Sequence, residues 1–181
     1  MPRPADSLTI PDILRLIDGA CGGRVHASDF SPLPCSHPAC FSLAFYLRTE
    51  EDDFVPVRGL VDTDTYLDMV QNRALVGTDA EGFEAIQRAL YALWSGPSGL
   101  APDSRKAMAA IRRLLDRINA AGGYCPHKVA AIAERSIKSI FIHHFMDRGN
   151  FDLARARKCC QVYPLADGRM MPACVYNCLK R

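Results

Sequence analysis

The 181-residue chain has no long apolar run, and its basic residues are not concentrated in any one segment. No stretch reaches the roughly 18 apolar residues of a membrane-spanning helix, which predicts that the protein is not an integral membrane protein. Residues 1–6 show no apolar run behind a basic patch, so we expect a cytoplasmic protein rather than an exported one. The net charge of only +2 disfavours a nucleic-acid partner, because such partners require a clustered basic surface.

Two common catalytic signatures are missing as well. The segment 96–99 contains two glycines, but it lacks the lysine and the preceding strand of a phosphate-binding loop. No Ser-His-Asp arrangement is evident in the sequence. Nucleotide hydrolysis and serine-type acyl transfer are therefore not expected.

Hydrophobic residues make up 49% of the chain, so one domain of this length can build a core without disulfide bonds. Apolar residues recur at helical spacing in several segments, with short strand-like runs between them. The pattern predicts helices at 10–21, 64–72, 81–94, 104–121, 128–134 and 152–157, and strands at 41–47, 54–57 and 137–145. We therefore predict an α+β fold over residues 1–181, a mostly helical single domain with a small antiparallel sheet and cysteine-rich loops.

Against this background the chain has eight cysteines, and most of them occur in close groups. Reduced thiols grouped in this way in a cytoplasmic protein are typical of a metal or iron–sulfur site. A turn at residues 166–169, which contains Asp-Gly, predicts a hairpin that brings the last group back beside the second. The three groups are Cys35 with Cys40, Cys159 with Cys160, and Cys174 with Cys178.

Five of these cysteines are candidate ligands, one more than a tetrahedral zinc ion or a cubane iron–sulfur cluster takes. They are Cys35, Cys40, Cys159, Cys160 and Cys174. Because adjacent side chains diverge in extended backbone, Cys159 and Cys160 are expected to differ in role, and the sequence leaves open which of them is the ligand. We interpret the remaining three cysteines as structural: Cys21, Cys125 and Cys178.

Histidines lie close to both ends of this candidate site. His37 lies between Cys35 and Cys40, where it can ligate a metal, donate a hydrogen bond to a cluster or only stabilise its loop, and the sequence favours none of these. His143 and His144 are adjacent in a predicted strand and therefore face opposite sides of it. We interpret both as structural histidines.

Three segments resemble the C-terminal region of radical S-adenosylmethionine (SAM) proteins, in the group of the tetraether-lipid synthases and pterin-type methyltransferases. The Cys-Cys pair and the Pro-x-Cys-x-Tyr-Asn element carry most of this likeness. The segments are residues 30–41, residues 142–147, and residues 151–160 continuing through 167–169 to 172–177.

The resemblance implies an auxiliary [4Fe-4S] cluster, additional to the one that cleaves SAM, bound by the five candidate cysteines with His37 inside the motif. It also implies a radical SAM catalytic domain or subunit as the partner, because this chain has no Cys-x3-Cys-x2-Cys motif. Cys174-x3-Cys178 matches only its first half, and Arg181 occupies the third position. The implied reaction modifies an unactivated carbon of a lipid or pterin-like substrate, by methylation or carbon–carbon bond formation.

A second hypothesis is a non-enzymatic, zinc-stabilised protein-interaction module. In that case the zinc ligands come from Cys35, Cys40, Cys160, Cys174 and His37. Zinc and iron–sulfur sites both require that the chain near residue 37 and the chain near residue 165 meet in space.

Overall fold

The computed structural model describes residues 8–49, 53–70, 91, 103–122 and 125–179. Within these residues six α-helices combine with six short strands, which confirms the α+β fold. The helices are α1 (Ile10–Ala20), α2 (Thr63–Val70), α3 (Ser104–Ala120), α4 (Pro126–Ser136), α5 (Leu153–Arg157) and α6 (Ala173–Leu179). The strands are β1 (Ser31–Pro32), β2 (Phe41–Arg48), β3 (Phe54–Pro56), β4 (Ile137–His143), β5 (Val162–Pro164) and β6 (Met170–Pro172).

Most predicted elements appear within a few residues of their expected bounds. The differences are that strand β4 ends at His143 rather than at residue 145, that the short strand β1 was not predicted, and that helix α6 follows the second hairpin strand directly. The helix predicted at 81–94 lies outside the described residues except for residue 91. Among the described helices, none combines the length and the apolar character needed to cross a membrane.

Strand β2 is the centre of an antiparallel four-stranded sheet. It pairs along almost its whole length with β4, from Phe41 opposite His143 to Leu47 opposite Ile137. Strands β1 and β3 pair with successive parts of β2 and therefore share its other edge. As a result, the loop that carries Cys40 enters the sheet beside the end of β4, where the His144 amide donates to the Cys40 carbonyl at 2.9 Å.

Both faces of β2 are covered, as the alternation of its side chains requires. On one face Leu43 packs with Tyr66 and Val70 of α2. Further along the same face, Leu47 packs against the alanines of α3. On the opposite face Ala44, Tyr46 and Ile142 pack with Ile10 at the start of α1 and with Phe30.

Strands β5 and β6 form a separate two-stranded hairpin close to the C-terminal end of the described chain. Gly168 in its turn has φ +81°, the left-handed conformation that glycine adopts without steric cost. The hairpin predicted from the Asp-Gly turn is thus present. A small core of Met146, Ala156, Cys174 and Cys178 lies beside it and joins α5 to α6.

A buried hydrogen bond on the α1 face provides a test of the fold. The Tyr46 hydroxyl donates to Asp29 Oδ2 at 2.9 Å, and burial together with that carboxylate raises the pKa of Tyr46 above its ordinary value. We expect Tyr46→Phe to lower the free energy of unfolding by about 1–3 kcal/mol at pH 8, because the buried Asp29 carboxylate loses the Tyr46 donor and keeps only the His26 amide on that oxygen. Urea unfolding measures this loss.

The same variant has a defined pH dependence. A tyrosine whose folded pKa is raised stabilises the fold fully below its unfolded pKa of about 10 and loses that contribution as the pH rises further. The difference in free energy of unfolding between wild type and Tyr46→Phe should therefore shrink between pH 8 and about pH 11. Tyr163→Phe, at a residue that is 41% exposed, is the control and should change stability by no more than about 0.5 kcal/mol.

Candidate metal centre

Strand β2 and helices α5 and α6 position four of the candidate cysteines close together. Cys40 immediately precedes β2, the Cys159–Cys160 pair follows α5, and Cys174 lies in the first turn of α6. The Asp152 carboxylate starts α5 by accepting from the Ala154 amide at 2.7 Å, as expected for an N-cap residue. Because α5 is only one turn long, the chain reverses soon after this cap and returns the cysteine pair to the sheet edge.

The hairpin then closes the arrangement. The Ala173 amide donates to the Gln161 carbonyl at 2.9 Å, next to the pairing of Val162 with Pro172. These bonds hold the first residues of α6 beside the segment that contains Cys160. The predicted return of Cys174 to the Cys159–Cys160 pair is therefore a feature of the backbone pairing.

Four of the five candidate ligands line one small pocket between the sheet edge, α5 and α6: Cys40, Cys159, Cys160 and Cys174. We call this the cysteine pocket. The fifth candidate, Cys35, has its thiol against the thiol of Cys160. The chain around residue 37 and the chain around residue 165 thus meet, although more than 100 residues separate them.

The contact between Cys35 and Cys160 has an electrostatic consequence. Desolvation of the Cys160 sulfur raises the pKa of its thiol to about 11, and the neighbouring Cys35 thiol contributes to the same shift. A protonated Cys160 is therefore the neutral-pH form of the metal-free chain. Because a thiol must lose its proton to ligate a metal, loading at this residue would release a proton.

Two sulfurs in the cysteine pocket accept hydrogen bonds from N–H groups. Cys40 Sγ accepts from Arg155 Nε at 3.2 Å, and Cys174 Sγ accepts from the Met146 amide at 3.3 Å. Accepting from N–H groups is the role that a thiolate ligand plays toward its outer shell. Cys174 is 4% exposed, so its N–H···S bond is shielded from water.

Two further cysteines donate hydrogen bonds to backbone carbonyls. Cys159 Sγ donates to the Gln161 carbonyl at 3.0 Å, and Cys178 Sγ donates to the Met146 carbonyl at 3.2 Å. Burial raises the pKa of the Cys178 thiol, which keeps it protonated. The neighbours Cys159 and Cys160 therefore differ in their contacts, since one is bonded to backbone and the other touches Cys35.

The sulfurs share a pocket but do not converge on one point. Within the described residues, no group of three or more His, Cys, Asp or Glu side chains has the geometry to hold a metal ion. Ligation would thus require the thiols to rotate toward a common centre. Such a rotation would have to keep or replace the N–H···S bonds that Cys40 and Cys174 accept.

The histidines occupy different positions. His37 Nδ1 accepts from the Ala39 amide at 3.2 Å within its own loop, a loop-stabilising contact, and His37 does not line the cysteine pocket. His143 does line it, with its ring 3.9 Å from that of Phe145 and edge-on to Phe41. Burial lowers the pKa of His143, and the nearby Arg155 adds to this effect, so the neutral imidazole is favoured.

Two contributors to the site were not identified from the sequence. Arg155, which belongs to α5, is 7% exposed and reaches into the cysteine pocket, and the Met146 amide bonds to Cys174. A five-residue helix is too short to produce an amphipathic pattern, so nothing in the sequence distinguishes Arg155 from the other basic residues around it. A backbone donor such as the Met146 amide leaves no signal in a sequence.

Comparison with known proteins finds a distant relative of most of this chain. No protein-family model matches the chain. The chain is 25% identical over 196 aligned residues to a protein of Methanocaldococcus jannaschii named 7,8-dihydro-6-hydroxymethylpterin dimethyltransferase. The alignment covers 96% of this chain but 38% of that protein, so the chain spans less than two fifths of the relative's length.

Proposed function

We propose that residues 1–181 form a single auxiliary iron–sulfur domain that works beside a radical SAM active site. The enzyme as a whole would modify an unactivated carbon, by methylation or carbon–carbon bond formation, on a lipid or pterin-like substrate. One observation carries the proposal: four of the five candidate cysteines line the cysteine pocket, and the fifth, Cys35, contacts Cys160.

The donor chemistry of the cysteine pocket fits a thiolate-ligated group. Its sulfurs come from three chain segments, two of them accept N–H hydrogen bonds, and a buried arginine lies among them. A cluster bound there would supply transfer of single electrons. The residues proposed to hold it are Cys35, Cys40, Cys160 and Cys174, because Cys159 is the pocket cysteine whose thiol donates to a backbone carbonyl.

The relative supports the methylation branch of the proposal, since its name describes the transfer of methyl groups to a pterin. The alignment leaves most of that protein uncovered. SAM binding and cleavage would then belong to a radical SAM catalytic domain or subunit, which is the partner we propose. Phe41 and His143 also line the pocket, and aromatic rings of this kind can contact an apolar or flat substrate.

Anaerobic purification of the 181-residue chain, followed by reconstitution with iron and sulfide, tests the proposal. We expect a brown protein with the broad visible absorption of an iron–sulfur cluster and about four iron and four sulfide per chain. Iron, sulfide and zinc are counted on the same sample. A colourless protein that contains one zinc and no iron would contradict the cluster and support the zinc-stabilised interaction module instead.

A further inference from the structure

Arg155 is a buried cation inside the cysteine pocket. Its side chain is fixed by two hydrogen bonds, one from Nε to Cys40 Sγ at 3.2 Å and one from Nη2 to the His144 carbonyl at 2.7 Å. The residue is 7% exposed. Of the described residues that line the cysteine pocket, it is the only arginine or lysine.

The charge of Arg155 has no carboxylate to balance it among the described residues, since none of them forms an ion pair with it. An unpaired buried cation is costly, and arginine cannot lose its proton to escape that cost. Its hydrogen-bond partners are the Cys40 sulfur and the His144 carbonyl, and of these the sulfur is the one that carries negative charge when it ligates a metal or a cluster. The position of Arg155 therefore suits a state in which the Cys40 sulfur is a ligand.

We propose that Arg155 is the positioning residue of the cysteine pocket: it holds the Cys40 sulfur toward the pocket and compensates the thiolate charge, and so it sets the reduction potential of the bound group. This inference rests on the proposed function, because it needs a thiolate-ligated redox group. A positive charge and an N–H···S bond both stabilise the reduced, more negative state. Arg155 thus makes the bound group easier to reduce.

A redox titration of the reconstituted 181-residue chain tests this role. Arg155→Met keeps the approximate size of the side chain but removes the charge and the donor. We expect it to lower the midpoint potential by about 59 mV or more. For a one-electron couple this corresponds to a tenfold or larger change in the reduction equilibrium constant. Arg155→Lys keeps the charge but loses the fork that joins Cys40 to His144, so its potential should lie between the two.

The matched control is Arg157→Met, on an exposed residue of the same helix. It should leave the midpoint potential at the wild-type value. Equal potentials for wild type and Arg155→Met, in chains that carry the same amount of iron, would overturn the inference while leaving the proposed function intact.

A second measurement uses the metal-free chain and does not depend on cluster loading. In protein labelled with ¹⁵N-arginine, the Arg155 Nε–H signal should exchange slowly with solvent and should shift in Cys40→Ala but not in Cys125→Ala. Fast exchange like that of Arg157, with no response to Cys40→Ala, would overturn the inference. If the chain takes up no iron, the proposed function fails by itself, and this signal still decides whether Arg155 engages Cys40.

Discussion

Replacing Cys174 with alanine is expected to abolish retention of the iron–sulfur cluster. Cys174 lines the cysteine pocket and is 4% exposed, and its sulfur accepts from the Met146 amide. Loss of an outer-shell partner alone typically costs about 10–100-fold in metal affinity, so loss of a ligand should cost more than about 100-fold. Iron content after anaerobic gel filtration, together with visible absorption, measures the effect.

The chain offers a closely matched control for this substitution. Cys178 lies four residues later on the same helix, is also 4% exposed, and does not line the cysteine pocket. Cys178→Ala removes the same atoms from the same small core, so general destabilisation should be similar. We expect Cys178→Ala to retain its iron, and equal iron contents in the two variants would contradict the assignment of Cys174 as a ligand.

The same assay discriminates between the adjacent cysteines. Cys160→Ala should lose iron together with Cys35→Ala, because these two thiols are in contact. Cys159→Ala should retain it, since the Cys159 thiol donates to the Gln161 carbonyl. The reverse result would exchange their roles and would show that the Cys159 thiol leaves its carbonyl when the cluster binds.

The largest expected effect on stability is at Leu43 in the central strand. Leu43 is 1% exposed and packs with Tyr66 and Val70 of α2. We expect Leu43→Ala to lower the free energy of unfolding by about 2–5 kcal/mol, through lost burial and the cavity left behind. Urea denaturation of the reduced chain, followed by circular dichroism, measures this change.

Leu16 on α1 provides the control for Leu43. It is 59% exposed, so Leu16→Ala removes the same atoms without opening a cavity and should change stability by no more than about 0.5 kcal/mol. A loss below about 1 kcal/mol for Leu43→Ala would contradict the central position of β2. Because β2 begins directly after Cys40, its stability also affects how firmly Cys40 is held in the cysteine pocket.

Much of the fold was predictable because it depends on local patterns. The amphipathic spacing of 104–121 predicted α3, the apolar run of 41–47 predicted β2, and the Asp-Gly turn predicted the β5–β6 hairpin. Strand β1 was not predicted because it is only two residues long and exists through its pairing with β2. A strand of that length has no periodicity of its own.

The candidate site was also only partly predictable from the sequence. The five-cysteine ligand set is a prediction from grouping and resemblance, and the structure adds that these cysteines are neighbours in space. His37 was considered as a ligand, and its imidazole accepts a hydrogen bond from the Ala39 amide of its own loop. Arg155 was not considered as a site residue, because a buried arginine cannot be distinguished from a surface one in a five-residue helix.

The sequence by itself determined the α+β element pattern, the grouping of the thiols and the hairpin that returns Cys174 toward Cys160, because spacing over a few residues decides helices, strands and turns. Only the tertiary structure decided that Cys35 and Cys40 meet those later cysteines, and that Arg155 lies among them. This meeting depends on the pairing of β2 with β4, whose residues are about 100 positions apart. Non-local pairing of this kind is governed by the packing of the whole core, which no short sequence segment encodes.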